Sequence, residues 1–275
     1  MLGAIIGDIV GSQFEWTCSK AYEFPLFTAA CHFTDDSVAT LGVADALTRD
    51  TARRDPERFG RLLYTRLSRL CRTYPDVGWG AQFYRFLTAD PTPYGSFGNG
   101  AAMRISPVGW VADSEAEVIR LSRLVTGISH DHPDSFLAAE AVAMAIYLGR
   151  TGKTPDEVRA RMEGYYPELC GMTVEGIRAD YTIDDEGRFM TCAGSVPQAI
   201  TCALEAEDFE GAVRSAVSLG GDADTQAAIA GSVAEALFGI PEDLVEEGLS
   251  YLDDTLAEIY YAFETVRHAA SGDAF

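Results

Sequence analysis

The sequence predicts an all-α protein, and three observations support this prediction. Apolar residues recur at the three- and four-residue spacing of a helix face along most of the chain. Two such stripes are Phe59, Leu62, Leu63, Leu67 and Leu70, and Leu249, Leu252, Leu256, Ile259 and Phe263. Helix start signals accompany this periodicity, because Ser114 with Glu117 and Thr154 with Glu157 have the spacing of capping boxes. No strand-like alternation is long enough for a sheet, although residues 173–183 are predicted to form one short hairpin.

We expect about a dozen helices in a compact orthogonal bundle that forms a single domain over residues 1–275. No repeat, low-complexity tract or Pro/Gly/Ser linker divides the chain. Two strongly apolar helices are predicted at Val38–Leu47 and Ala227–Phe238. Each follows directly on a short acidic segment, so the acidic side chains should collect at a helix N-terminus.

The first predicted helix extends from Leu2 to about Trp16 and has a glycine at every fourth position from Gly3 to Gly11. This smooth ridge lets another helix approach closely, so we expect the helix to be buried. It also carries Asp8 and Glu15, seven residues apart and therefore on one face. Buried carboxylates need cations or hydrogen-bond donors. Two interpretations stay open: the acids face a cationic site, or one or both cap neighbouring helices.

The composition points away from polyanionic partners. The formal net charge is -21, from 42 acidic and 21 basic residues. Such a charge repels nucleic acids and anionic lipid surfaces, and a phosphate-bearing ligand would need help from cations. Metal ions held by some of the surplus carboxylates would supply this help, whereas a solvated acidic surface accounts for most of the acids.

Cysteine usage and hydropathy favour a cytoplasmic protein. The six cysteines have no CxxC pairing and no regular spacing, which fits a reducing compartment: Cys18, Cys31, Cys71, Cys170, Cys192 and Cys202. Asp8 interrupts the apolar N-terminal stretch and no basic residue precedes it, so we expect no signal peptide. No apolar segment reaches the length of a membrane span. We expect a cytoplasmic monomer with no membrane partner.

Two oxygen-rich clusters are the clearest candidates for chemistry. Their side chains are Thr34, Asp35 and Asp36, then Asp222, Asp224 and Thr225. Capping a helix would explain one acid of each cluster, whereas several oxygens at one locus are what hard divalent cations prefer. An EF-hand is excluded at the second cluster because no closing glutamate follows and the chain enters an alanine-rich helix.

A glycine-rich loop lies between the clusters. In Ser96-Phe97-Gly98-Asn99-Gly100, the glycines expose backbone amides next to an expected helix start, which suits an anionic or ribose group, although an ordinary turn would look the same.

His130 is more plausible as a ligand contact than as a metal ligand, because His130 and His132 are poorly spaced for one ion, and Asp131 can serve to orient a ring. We interpret Cys192 as a packed thiol.

In this order, the strings GDIVGSQFE, FTDDS, SFGNGAAMR, SHDHP and LGGDADTQAAIAG, which extend from Gly7 to Gly231, resemble the ADP-ribosylglycohydrolase family. The resemblance implies a compact helical fold around two Mg²⁺ or Mn²⁺ ions. It implies that both clusters supply metal ligands, with Asp224 bridging the ions, and that Glu15 acts near the reactive water. It further implies that residues 96–100 and His130 contact ADP-ribose, and that Gly78 and Gly80 form a second glycine loop at the diphosphate.

The resemblance has two departures, Ser37 and Ala223, which stand where many members have threonine, although neither position is a required ligand. The activity it implies is hydrolysis of the glycosidic bond between ADP-ribose and an acceptor side chain, most often arginine, on a protein or small molecule. Glu15 or Asp36 would take the proton from water. Two rival hypotheses are a non-catalytic ADP-ribose-binding or structural protein, which loss of ligands would mark, and a metal-dependent phosphoesterase. DNA-linked substrates are disfavoured by the charge.

Overall fold

A computed structural model describes residues 1–48, 55–182 and 187–271, the side chains of the last three excepted. All regular secondary structure in these residues is helical, and the one β-bridge is an isolated pair between Gly98 and Thr191. The helices are α1 Leu2–Ser12, α2 Asp35–Leu47, α3 Pro56–Thr73, α4 Ala81–Thr88, α5 Gly100–Met103, α6 Ser106–Val111, α7 Glu115–Thr126, α8 Pro133–Arg150, α9 Pro155–Met162, α10 Val174–Asp180, α11 Cys192–Glu205, α12 Phe209–Val217, α13 Ala223–Phe238, α14 Glu242–Ser250 and α15 Asp254–Ser271. Short 3₁₀ turns occur at Pro167–Leu169 and Arg188–Met190.

The hairpin predicted for residues 173–183 is wrong, because Val174–Asp180 is helix α10. Thr173 caps this helix by accepting a hydrogen bond from the Gly176 N–H. Val174 and Ile177, three residues apart, are both buried, so the apolar spacing in this segment has the period of a helix. Ile183, the last residue of the predicted hairpin, lies outside the described residues.

The glycine ridge of α1 packs directly against α13, as its sequence predicts. A Cβ on Gly7 would lie 2.0 Å from the Ala227 carbonyl oxygen, and one on Gly3 would lie 2.2 Å from the Gly231 oxygen. Only the hydrogen atoms of glycine fit between these backbones. The axes of the two helices can therefore lie closer together than any other residue at these positions would allow. Every residue of α1 is buried.

Helices α2 and α13 both begin earlier than their apolar patterns indicate. Helix α2 begins at Asp35 and α13 begins at Ala223, so the acids of each cluster lie in or next to the first turn. Unpaired amides at a helix N-terminus carry partial positive charge, which favours carboxylates there. The close contact of α1 with α13 brings these two N-termini to one end of the bundle, where the site lies.

The rest of the bundle supports this end. Helix α8 packs against α6, α7 and α13, and α11 and α12 flank α13. The expected capping box at Thr154 and Glu157 is present, whereas Ser114 caps α7 but Glu117 accepts from the Asp113 N–H instead. Of the described helices, none combines the length and hydropathy that crossing a bilayer requires.

Candidate functional site

A cleft of 340 Å³ opens at the end of the bundle where α2 and α13 begin. It is lined by all the predicted site residues except Thr34 and Phe97. The residues that line it are Glu15, Asp35, Asp36, Gly78, Gly80, Ala81, Gln82, Phe83, Tyr94, Ser96, Gly98, Asn99, Gly100, Met103, His130, Met190, Asp222, Asp224 and Thr225. Its described lining contains several carboxylates and neither lysine nor arginine. The cleft is therefore a strongly acidic cavity, and its described walls supply no basic side chain.

Asp8 holds the first cluster in place. This fully buried carboxylate accepts hydrogen bonds from the Thr34 N–H at 2.9 Å, the Thr34 hydroxyl at 2.6 Å, the Ser37 N–H at 3.0 Å and the Ser37 hydroxyl. These bonds fix the turn that leads into α2. Of the two interpretations of the acids on α1, the capping one is therefore confirmed for Asp8.

Thr34 is the N-cap of α2. Its hydroxyl donates to Asp8 and accepts from the Asp36 N–H at 3.3 Å. The side chain is buried behind the two aspartates and does not line the cleft. Its predicted role as a metal ligand stays a prediction.

Asp36 is buried with one carboxylate oxygen unused. Its Oδ2 accepts a hydrogen bond from the Thr225 hydroxyl at 3.2 Å, which joins the two clusters, while Oδ1 has no hydrogen-bond partner. Burial, followed by the charges of Asp8, Asp35 and Asp222, raises the pKa of Asp36 well above its ordinary value. A buried oxygen without a donor in an acidic cavity is suited to bind a cation.

Asp35 lies beside Asp36 and next to the glycine loop at Gly78. Burial, followed by the charges of Asp8, Asp222 and Glu15, raises its pKa to about 7. Gly78 has φ +96, and a Cβ there would lie 3.5 Å from Asp35 Oδ1. The loop therefore covers Asp35 closely with backbone alone. The Asp35 N–H donates to the Val77 carbonyl, which ties this loop to α2.

The second cluster is anchored by Asn99. The Asn99 side-chain amide donates to Asp222 Oδ2 at 2.6 Å and to the Ser195 hydroxyl at 3.0 Å. The Asn99 amide nitrogen therefore links Asp222 of the second cluster to Ser195 of α11. Asp224 Oδ1 accepts from the Thr225 N–H at 2.9 Å. Burial, followed by the charges of Asp222 and Asp36, raises the pKa of Asp224 well above its ordinary value.

Two groups of three carboxylates could each hold an ion. Asp8, Asp36 and Asp224 have oxygens within 4.8 Å of one another, and so do Glu15, Asp222 and Asp224. Asp224 belongs to both groups, and the bridging role that the family resemblance implies for it stays a prediction. Although Asp8 is close enough to be a ligand, its four hydrogen bonds already satisfy it, and we assign it to positioning. The oxygen-only donor set and the unpartnered Asp36 oxygen fit Mg²⁺ or Mn²⁺.

Glu15 reaches the cleft from a loop, so its predicted place on the first helix is wrong. Helix α1 ends at Ser12 because the following residues turn, and Trp16 has φ 68, which an α-helix cannot contain. Glu15 and Asp8 therefore do not share a helix face. Glu15 is half-buried at the rim, and burial followed by the charges of Asp222 and Asp8 raises its pKa.

The loop of residues 96–100 forms another wall of the cleft. The Ser96 hydroxyl accepts from the Gly98 N–H at 3.2 Å, and the Asn99 N–H donates to the Met190 carbonyl at 2.9 Å. Phe97 points away from the cleft lining, is 53% exposed, and packs on the His132 ring. Its predicted contact with the ligand stays a prediction.

His130 is buried behind this loop. Its Nδ1 faces the Ser129 hydroxyl at 2.8 Å and Arg104 Nη2 at 3.3 Å, and Phe83 and Tyr94 pack edge-on against the ring. Burial, followed by the charge of Arg104, lowers the pKa of His130 well below its ordinary value. Asp131 contacts the Gly95 N–H, so the idea that it orients a ring is not supported.

The sequence reasoning did not single out Arg104, Tyr94 or Phe83. Arg104 is fully buried although it follows the apolar string Ala101-Ala102-Met103, and a charged residue inside such a string is the signal that could have identified it.

Cys192 is buried behind the loop and its pKa is raised to about 12 by burial, so the interpretation as a packed thiol is confirmed.

Comparisons with known proteins identify the family of this chain. The sequence model of the ADP-ribosylglycohydrolase family matches residues 1–269. The chain is 24% identical to ADP-ribosylhydrolase ARH3 of Danio rerio and 23% identical to that of Homo sapiens, over 98% and 96% of this chain and 90% and 92% of those proteins. It is 29% identical to the ADP-ribosyl-[dinitrogen reductase] glycohydrolase of Rhodospirillum rubrum, over 60% of this chain and 54% of that protein. The chain therefore belongs to the ADP-ribosylglycohydrolase family.

Proposed function

We propose that this protein hydrolyses the glycosidic bond between the ribose of ADP-ribose and an acceptor side chain, most often arginine, and releases ADP-ribose. The observation that carries this proposal is the joining of the two acidic clusters. The Thr225 hydroxyl bonds Asp36, Asp224 lies in both carboxylate groups, and Asp36 Oδ1 is left free inside the cleft.

The residues that would hold two Mg²⁺ or Mn²⁺ ions are those of the two clusters: Thr34, Asp35, Asp36, Asp222, Asp224 and Thr225. When bound, such ions orient hydroxyl groups of the substrate and lower the pKa of bound water. The chain itself holds the carboxylates together against their mutual repulsion. It does so with Asp8 beneath the first cluster and Asn99 beneath the second.

Glu15 is our first candidate for accepting the proton of the attacking water, and Asp36 is the second. Glu15 lies at the rim, half-buried, and repulsion from Asp222 and Asp8 favours its uptake of a proton. A general base must lie within hydrogen-bond reach of the water it activates. Asp36 is deeper and already bonded to Thr225, which makes it the better metal ligand.

The remaining walls of the cleft suit a nucleoside diphosphate sugar. Backbone amides of residues 96–100 other than those of Gly98 and Asn99, and those of the loop at Gly78 and Gly80, can donate to phosphate or ribose oxygens. His130 lies behind Gly100 and faces the same space. The net charge of -21 favours ADP-ribose on proteins or small molecules over ADP-ribose on DNA. We also propose that the protein is cytoplasmic and monomeric and forms a single domain.

A panel of acceptors tests the proposal. Arginine-, serine- and DNA-linked ADP-ribose are offered to the protein with Mg²⁺ or Mn²⁺, and the products are identified by mass spectrometry, with Asp224→Asn as the inactive control. We expect fastest release from arginine and poor turnover of DNA. If the protein binds ADP-ribose but turns over none of the substrates, the non-catalytic ADP-ribose-binding alternative would be favoured. Rapid turnover of DNA-linked ADP-ribose would refute the inference that the net charge disfavours DNA substrates.

A further inference from the structure

Arg104 is a buried cation without a carboxylate partner among the described residues. It is fully buried, and its guanidinium lies over the Phe83 ring, 4.6 Å from the centroid. It donates to the Gly100 carbonyl at 2.6 Å and to the Ser129 hydroxyl at 3.0 Å. Burial lowers its pKa to about 10, so it keeps its charge at neutral pH. A buried charge of this kind is costly, which calls for a role beyond packing.

The third contact of Arg104 is with His130. Arg104 Nη2 lies 3.3 Å from His130 Nδ1, and the Ser129 hydroxyl lies 2.8 Å from the same nitrogen. A guanidinium only donates hydrogen bonds, so Nδ1 must accept. Ser129 accepts from Arg104 and has its own proton left for Nδ1. With a proton on Nδ1, that proton would face those of Arg104 at close range.

The other ring nitrogen faces the cleft. A Cβ on Gly100 would lie 3.3 Å from His130 Nε2, so this atom stands directly behind the glycine that begins α5. No hydrogen bond joins Nε2 to any residue in the described parts of the chain, and His130 lines the cavity. The groups that face the ring, Arg104, Tyr94 and Phe83, give it no acidic neighbour that would favour its protonation.

We infer that Arg104 is a positioning residue that fixes His130 as the neutral tautomer with its proton on Nε2, so that the ring donates a hydrogen bond to an acceptor oxygen of the ligand. The inference rests on the proposed function only for the identity of that ligand, a phosphate or ribose oxygen of ADP-ribose. His130 then serves neither as a metal ligand nor as a general base, because its ring lone pair, on Nδ1, is turned away from the cleft and accepts hydrogen bonds from Arg104 and Ser129.

The low pKa of His130 agrees with this geometry, because the burial and the guanidinium that depress it also keep the ring neutral. A neutral donor is independent of pH over the physiological range, unlike an ordinary histidine. The arrangement also discriminates between ligand atoms. An acceptor oxygen opposite Nε2 gains a hydrogen bond, whereas a donor group at that place would meet a second proton.

Nitrogen NMR of the free protein tests the tautomer directly. The chain has four histidines, so histidine-labelled protein gives few signals, and His130→Gln identifies the one from His130. We expect the pattern of a proton on Nε2, unchanged between about pH 6 and pH 8. Ser129→Ala is the matched control: it removes one donor to Nδ1 and keeps Arg104, so the tautomer should persist.

Arg104→Met removes the group that can only donate to Nδ1 and leaves the Ser129 hydroxyl, which can donate or accept. Both tautomers should then be populated, and the pKa of the ring should rise toward its ordinary value of about 6.5 but stay below it, because the ring is still buried. A wild-type signal with the proton on Nδ1, a charged ring at neutral pH, or an unchanged Arg104→Met spectrum would overturn the inference. Should Arg104→Met not fold, the wild-type and Ser129→Ala spectra still decide it.

Calorimetry with ADP-ribose tests the hydrogen bond itself. His130→Leu, which has no donor, should weaken binding about tenfold, whereas His130→Gln, whose amide can donate, should restore part of the affinity. Equal affinities of the Leu and Gln variants and the wild type would refute the donor role. If the NMR result holds and wild-type protein binds no ADP-ribose, the proposed function fails while the tautomer assignment stands.

Discussion

At the scale of single residues, chemically identical aspartates occupy opposite environments a few ångströms apart. Asp8 accepts four hydrogen bonds, while Asp36 accepts one and has a bare buried oxygen. The sequence places Asp8 on a helix expected to be buried and Asp36 at a helix N-terminus, but it cannot assign their partners, because Thr34 and Ser37 come into contact with Asp8 only in the folded chain. A carboxylate that is fully bonded organises the site, and one that is not can bind a cation.

The two aspartates should therefore respond oppositely to the same change. Asp8→Asn places amide protons against the Thr34 and Ser37 donors and should cost about 3 kcal/mol of unfolding free energy. Asp36→Asn removes one charge from a repulsive cluster, so the metal-free protein should be as stable as wild type or more stable. Urea denaturation in EDTA measures both. A large loss for Asp36→Asn would mean that its carboxylate has a stabilising partner after all.

The acidic cluster also predicts how stability depends on pH. The folded-state pKa of Asp35 is raised to about 7, and burial raises those of Asp36 and Asp224 well above their ordinary value of 3.8. Between about pH 4 and pH 7 the folded state thus binds more protons than the unfolded state, and stability falls as pH rises. Thermal unfolding in EDTA should show this slope. Mg²⁺ or Mn²⁺ should abolish it at neutral pH, and a metal-free protein that gains stability from pH 5 to pH 7 would contradict the description of the cluster.

Glu15 and Asp35 separate two steps of the proposed reaction. Glu15→Gln keeps the side-chain volume and should leave ADP-ribose affinity largely intact, while turnover falls roughly a hundredfold or more because a proton acceptor is lost. Asp35→Ala should weaken metal and ADP-ribose binding together. Steady-state kinetics and calorimetry on both variants measure this difference. An unchanged rate for Glu15→Gln would make Asp36 the leading candidate for activating water.

At the scale of elements, the contact of α1 with α13 positions the site, and the glycine spacing in the sequence predicts this contact. Glycines at Gly3, Gly7 and Gly11 predicted a close helix neighbour, and the structure places one there with no room for a methyl group. The helix ends were less predictable. Nothing in the apolar pattern marks the turn after Ser12, and the hairpin predicted near Val174 is a short helix, which the same apolar spacing fits.

Gly7→Ala tests this contact. Its Cβ would lie 2.0 Å from the Ala227 carbonyl oxygen, so the helices must separate, and we expect a loss of about 3 kcal/mol or more in unfolding free energy. The matched control is Gly60→Ala in α3, where the nearest atom lies at 3.8 Å and the better helix former should stabilise by about 0.5–1 kcal/mol. Stabilisation by Mn²⁺ should also diminish in Gly7→Ala, because the two clusters move apart. Equal effects of both variants would show that the ridge is not tightly packed.

At the scale of the whole molecule, five short strings spread from Gly7 to Gly231 converge on one cleft. The order of these strings was enough to indicate the family, and their helical context was enough to indicate the fold class. What the sequence left hidden is the set of supporting contacts: Asn99 turned toward Asp222, and Arg104 buried behind His130. Such contacts join residues that lie 26 or more positions apart, so no local pattern reports them.

The central claim is that this cleft, loaded with divalent cations, cuts the bond between ribose and acceptor. The most direct measurement is the mass of both products from an arginine-ADP-ribosylated peptide, with Mg²⁺ or Mn²⁺ and with EDTA. We predict intact ADP-ribose and unmodified peptide with the metals, and no reaction in EDTA or with Asp224→Asn. AMP together with a phosphoribosylated peptide would mean cleavage of the diphosphate, and undiminished release in EDTA would contradict the metal-dependent site.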